Sequence, residues 1–168
     1  MINRTVLNKA LVDLAVSQVG INEEGGDNDG SVVRMYQSVI GKAEKESWCV
    51  SFVQWCVREV DKKFGSKTVL FPTESSQILW LKTPHIARIQ KPEPGAIMIW
   101  TIYNNALPSS RGHVGIIKEV LNTDYVMTIE GNTSIAAGEP DGVYLKRRRI
   151  SFLTGSFRTT GFLLPWAS

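Results

Sequence analysis

Cysteine and histidine are the residue types here that can form a nucleophile and its base, and each occurs only twice. Cys49 opens a stretch in which Val50, Phe52, Val53, Cys56, Val57 and Val60 form one wide apolar face at helical spacing. Ser47 is the expected N-cap, which puts Cys49 in the first turn. Unpaired N–H groups and the helix dipole favour a thiolate there. Cys56 lies two turns further in and reads as a small buried hydrophobe. Position alone leaves both readings of Cys49 open. The base would be His113, in Arg111-Gly112-His113-Val114-Gly115, where a loop feeds an apolar strand. His85 follows Pro84 and reads as a surface histidine. A third group is offered by Glu130-Gly131-Asn132. Its two polar side chains would share one strand face, and either could orient an imidazole. Glu130 is expected to do so, because a carboxylate also stabilises the imidazolium. Asn132 is then left for substrate or oxyanion contacts.

These residues need elements to hold them. Val6, Leu7, Ala10, Leu11, Leu14 and Ala15 predict an opening amphipathic helix, ended by Gly20. A polar, Gly-rich loop over 23–30 follows. Val32, Val33, Tyr36 and Ile40 predict a second helix closed by Gly41, and 42–47 reads as polar linker. The cysteine helix stops at Gly65 after Lys62 and Lys63. A short helix is expected over 73–81, a buried strand over 96–101, and a loop over 103–112. Strands follow over 114–120, 125–130, 142–150 and 161–164. Helices first and strands later predict an α+β fold with an antiparallel sheet.

The bulk properties set the frame. A chain of 168 residues, 43% apolar and 21% charged, suits one globular domain over 1–168. A net charge of +3 does not call for nucleic acid, though it suits an anionic surface. No apolar stretch approaches the ~20 residues of a membrane span. Asn8, Lys9, Asp13 and Ser17 interrupt the N-terminal apolar residues, so no signal peptide is read. Synthesis in the cytoplasm is therefore expected, with delivery to any outside target by other means. Two cysteines seven residues apart on a helix stand about 10 Å apart. A disulfide needs Cα atoms within about 7 Å, so two free thiols are expected.

Several segments together resemble a known family. They are Ser47-Trp48-Cys49-Val50-Ser51-Phe52-Val53-Gln54-Trp55-Cys56, Pro94-Gly95-Ala96-Ile97-Met98-Ile99-Trp100, Gly112-His113-Val114-Gly115-Ile116 and Glu130-Gly131-Asn132. In order and spacing they resemble the CHAP family, the cysteine, histidine-dependent amidohydrolases/peptidases. Val19-Gly20-Ile21-Asn22-Glu23 and Asp141-Gly142-Val143-Tyr144 look like its phage-type members. The chain departs at Ala96, where many relatives carry an acid. The resemblance implies a papain-like fold, with N-terminal helices packed on the sheet, and a peptidoglycan substrate. It maps the family's cysteine onto Cys49, its histidine onto His113, and its acidic and amide residues onto Glu130 and Asn132. The implied reaction is acyl transfer at an N-acetylmuramoyl-L-alanine amide or a peptide bond of the stem or cross-bridge. The N–H of Cys49 and a nearby polar group would hold the oxyanion.

No cofactor is expected. Some relatives bind calcium near the cysteine, and Asp27-Asn28-Asp29-Gly30 looks like a fragment of a calcium loop. In EF-hand register, however, Gly25 falls at the first ligand position and Tyr36 at the last, where Glu belongs. No metal site is therefore assigned. The expected partner of this monomer is bacterial peptidoglycan, with no nucleic acid and no membrane insertion. A rival reading is a non-catalytic wall-binding module built on the basic run Lys146-Arg147-Arg148-Arg149, which otherwise reads as an exposed strand end. A second rival is a secreted antibacterial amidase effector, which differs from a phage lysin only in delivery.

Overall fold

A computed structural model describes residues 2–41, 45–151 and 153–167. Part of the polar linker expected over 42–47 lies outside the described residues. Four helices come first: α1 (Arg4–Ser17), α2 (Ser31–Ser38), α3 (Cys49–Phe64) and α4 (Ser76–Lys82). Six strands follow: β1 (Arg88–Ile89), β2 (Ile97–Asn104), β3 (Leu107–Val120), β4 (Tyr125–Thr133), β5 (Gly142–Arg149) and β6 (Phe157–Leu163). They form one antiparallel sheet in the order β1-β6-β2-β3-β4-β5. The fold is α+β.

Local chemistry explains the helix ends. Asn3 caps α1 by accepting the Thr5 N–H at 2.9 Å. Gly65 closes α3 in the left-handed conformation, φ 62°, and its N–H returns to the Asp61 carbonyl. Ser75 caps α4 through the Ile78 N–H.

The sheet is buried on both faces, which is why residues 96–101 read as continuous apolar sequence. On one face Ile97, Ile99, Val114, Ile116 and Ile129 pack against the helices, where Leu11, Phe52, Val53 and Cys56 are fully buried. On the other face the sheet curls around a second core of Ala96, Met98, Trp100, Ile117, Val126 and Phe162. Residues two apart on β2 thus serve different cores from their neighbours.

The loop expected over 103–112 is instead a hairpin. β2 runs on to Asn104, β3 starts at Leu107, and Asn104 pairs with Leu107. The two turn residues, Asn105 and Ala106, both have positive φ, 47° and 70°. That is the backbone a two-residue hairpin needs. The turn lacks the Asn-Gly signature, and Pro108 reads as a strand breaker. Pro108 is tolerated because β4 pairs with β3 only from Ile116 onward, leaving one side of this stretch without a sheet neighbour. His113 accordingly lies inside a strand, cross-strand from Trp100, and not at a loop-to-strand junction.

Candidate active site

Cys49 is the first residue of α3, one position nearer the helix end than a Ser47 cap implies. Trp48 holds the N-cap position and supplies no side-chain cap. The acceptor comes from across the fold. Asn132 Oδ1 accepts the Ser47 hydroxyl at 2.7 Å and the Trp48 backbone N–H at 3.3 Å. Asn132 Nδ2 donates to Asn28 Oδ1 at 2.9 Å and Glu23 Oε1 at 3.3 Å. Glu23 Oε1 also accepts the buried Trp48 indole N–H at 2.8 Å. Asn132 is therefore a hub that ties the start of α3 to β4 and to the 23–30 loop.

Asn132 does this because the strand is interrupted. The β4–β5 register shifts between Glu130 and Thr133, and Asn132 has φ +56°. The simple alternation expected of Glu130 and Asn132 thus fails. Glu130 points to His113, and Asn132 points to the helix start. Gly131 between them allows the close approach. A Cβ there would sit 2.7 Å from Trp48 Cζ3 and 2.9 Å from Phe52 Cβ.

His113 Nε2 lies 2.9 Å from Glu130 Oε2, the bond expected of this pair. An ionised carboxylate only accepts, so Nε2 carries the proton here. Glu130 leaves Nδ1 free to face Cys49, which lies close enough for thiol and imidazole to shift each other's titration. Glu130 is 0% exposed, so its charge needs full compensation. Arg148 supplies much of it. Its Nε donates to Oε1 at 2.7 Å and its Nη2 to Oε2 at 2.5 Å, while the Thr128 hydroxyl donates to Oε1 at 2.5 Å. Gly115 leaves room for this carboxylate, because a Cβ there would meet Glu130 Cγ at 2.7 Å.

The electrostatics follow from this set. Burial pushes the Cys49 thiol up, but the hydrogen bond and positive charge of His113 outweigh it. With help from the Ser47 hydroxyl and the Val50 N–H, the thiol is held below its ordinary value. Burial pushes His113 down, and its bonds to Cys49 and Glu130 more than reverse that, leaving it raised. Burial would lift Glu130, yet the bonds from Arg148 and His113 bring its carboxyl down to about 2. Cys49 and His113 therefore favour a thiolate–imidazolium pair. Cys56 is the opposite case: burial drives its thiol well above the ordinary value. Both cysteines are free.

A row of stacked groups backs the histidine. The Trp100 ring lies 5.8 Å from the His113 ring and 5.5 Å from Phe157, at interplanar angles of 26° and 20°. A shallow cleft of about 330 Å³ opens over His113, bordered by Ile102, Asn132, Thr133, Arg148 and Phe157. Larger hollows lie along α1 and the end of α3, away from the cysteine.

Residues 41–132 match the CHAP domain family. This chain belongs to the CHAP family. The matched stretch spans Cys49, His113, Glu130 and Asn132, the four residues that the structure draws together around the start of α3. CHAP domains are hydrolase- and peptidase-like and are associated with peptidoglycan. No curated protein and no solved structure matches the chain. The fragment resembling a calcium loop is otherwise employed in this CHAP chain. Asp29 pairs with Arg34 and Lys45, and Asn28 Oδ1 accepts from Asn132. These donors do not fit a calcium site.

Arg148 is the residue that the sequence reading missed. Within a run of four basic residues it looks like part of a solvated strand end. Strand alternation separates it from exposed Arg147 and Arg149, and Val126 of the inner core is its cross-strand partner. Seeing it in the sequence would have required the β4–β5 register.

Proposed function

We propose that this chain hydrolyses an amide bond of peptidoglycan, either the N-acetylmuramoyl-L-alanine amide or a peptide bond of the stem or cross-bridge. Cys49 is the nucleophile, His113 the acid–base group and Glu130 the residue that orients it. The observation that carries this reading is the line Cys49–His113–Glu130, with the thiol at a helix N-terminus and the carboxylate fully buried. In the first half-reaction the Cys49 sulfur bonds to the acyl carbon. The carbon–nitrogen bond breaks, and the His113 proton passes to the leaving amine. Water then attacks the thioester, giving its proton to His113. The acid departs, and the thiolate–imidazolium pair is restored. The Cys49 backbone N–H at the start of α3 is suited to hold the oxyanion, whereas the Ser47 hydroxyl already gives its one proton to Asn132. Asn132 contributes by bracing the start of α3, since both ends of its amide are already engaged within the fold.

The same reading makes the protein a phage-type lysin that reaches the wall after synthesis in the cytoplasm. A holin gene beside it would support a lysin, and an immunity gene beside it would favour an antibacterial effector. The reaction is tested by digesting purified peptidoglycan and identifying the new termini. A new amino terminus within the peptide, or a freed L-alanine amine, is expected from the wild-type chain and none from folded Cys49→Ser. Hydrolysis by folded Cys49→Ser overturns the assignment.

A further inference from the structure

Glu130 is shared by two cations, and a Cys-His-Glu relay needs only one of them. We propose that Arg148 is a positioning residue that balances the Glu130 carboxylate, so that His113 can hold a proton beside Cys49 and still release it to the leaving amine. This rests on the function proposed above.

The geometry is that of a built clamp. Arg148 meets both carboxylate oxygens, one through Nε and one through Nη2, at 2.7 and 2.5 Å. Its guanidinium is itself fixed, 5.4 Å from the Trp100 ring centre and 5.6 Å from that of Phe157. Trp100 in turn stacks on His113. Arg148 on β5, Glu130 on β4, His113 on β3, Trp100 on β2 and Phe157 on β6 thus form one row across five strands. Guanidinium fixed at two points sets the tilt of the carboxylate, and the carboxylate sets the imidazole.

The charges also close. His113 faces Cys49 from α3 and Glu130 from β4, while Glu130 faces Arg148 from β5 and the neutral Thr128 hydroxyl. β2 and β6 set the Trp100 and Phe157 rings against this row. Glu23 is reached only through Trp48 and Asn132. Thiolate, imidazolium, carboxylate and guanidinium sum to zero. Without Arg148 the buried carboxylate would bind the imidazolium too tightly, and proton return to the amine would slow.

The test uses Arg148→Met, which keeps an apolar stem against Trp100 and Phe157, with exposed Arg147→Gln as the control for bulk charge. In Arg148→Met the alkaline limb of kcat/KM is expected to rise by roughly one pH unit and kcat to fall at least about tenfold. Arg148→Lys should recover part of both, and Arg147→Gln should match wild type. A folded Arg148→Met with wild-type limbs overturns the proposal, as does an equal shift in Arg147→Gln. If Arg148→Met does not fold, Glu130→Gln and Glu130→Gln/Arg148→Met decide. Arg148 acting through Glu130 requires the two to have equal rates and limbs, and a further loss in the double variant overturns it. Hydrolysis surviving in folded Cys49→Ser would instead sink the underlying function, so the two failures are distinct.

Discussion

Two thiols on one helix experience opposite surroundings. Cys49 has a helix N-terminus and an imidazolium beside it, whereas Cys56 is fully buried and has the Glu59 carboxylate, not a cation, acting on it. Cys56→Ser should leave the site chemistry in place. It should cost about 1–3 kcal/mol of stability, because it puts a more polar group into a packed core, and a denaturant titration measures that. Activity loss in folded Cys56→Ser as complete as in Cys49→Ser would contradict the division of labour. The same contrast fixes the pH response. Cys49 is lowered from 9.0 and His113 raised from 6.5 to about 10, so the ion pair is expected from a pH below 9.0 up to about 10. Each shift also acts on stability. The raised His113 contributes fully below pH 6.5, and this is lost as pH rises through its folded value. The lowered Glu130 contributes above pH 4.5, and this is lost as pH falls toward 2. Alkylation of Cys49 by iodoacetamide should therefore remain fast below pH 9.0. A half-maximal rate at 9.0 would show an ordinary thiol.

At the scale of elements, the site depends on how closely β4 approaches the start of α3. Gly131 sets that distance, with Trp48 and Phe52 against its Cα hydrogens. Gly131→Ala should cost about 1–3 kcal/mol as an overpacking change. It should also lower turnover by moving Cys49 away from His113, since both lines of contact pass through this junction. Thermal melting and peptidoglycan turnover on one preparation check it, and a variant that loses stability but keeps full turnover would show that the junction is structural alone. The helix start itself was only partly legible in the sequence. Ser47 looks like a cap because caps are judged from local residues. The structure uses Asn132, 84 positions beyond Trp48, and no local rule finds such a partner. The hairpin through Asn105 and Ala106 was hidden for a related reason, since Ala106 takes a left-handed backbone that its type disfavours.

Across the whole molecule, the sheet carries two cores and the site lies where α3 meets it. In the 27–30 segment Asp29 pairs with Arg34 and Lys45, and Asn28 accepts from Asn132, so these oxygens are engaged within the fold. A chelator should leave hydrolysis and melting temperature unchanged, and activity that is lost and then restored by added calcium would refute this. What the sequence determined by itself was the set of local properties. The 3.6-residue period of α3 put Cys49 at a helix end, and apolar runs marked most of the strands. Glu130, ending an apolar strand, needed a partner, because a buried carboxylate without one is too costly. Only tertiary structure decided which partners those were. The bulge at Asn132 turned two polar side chains of one short segment in different directions, and the β4–β5 register drew Arg148 out of a basic run onto Glu130. Strand periodicity is a local property of the chain. Register, bulges and cross-strand charge pairs depend on which segments meet, and that is fixed only when the whole sheet forms.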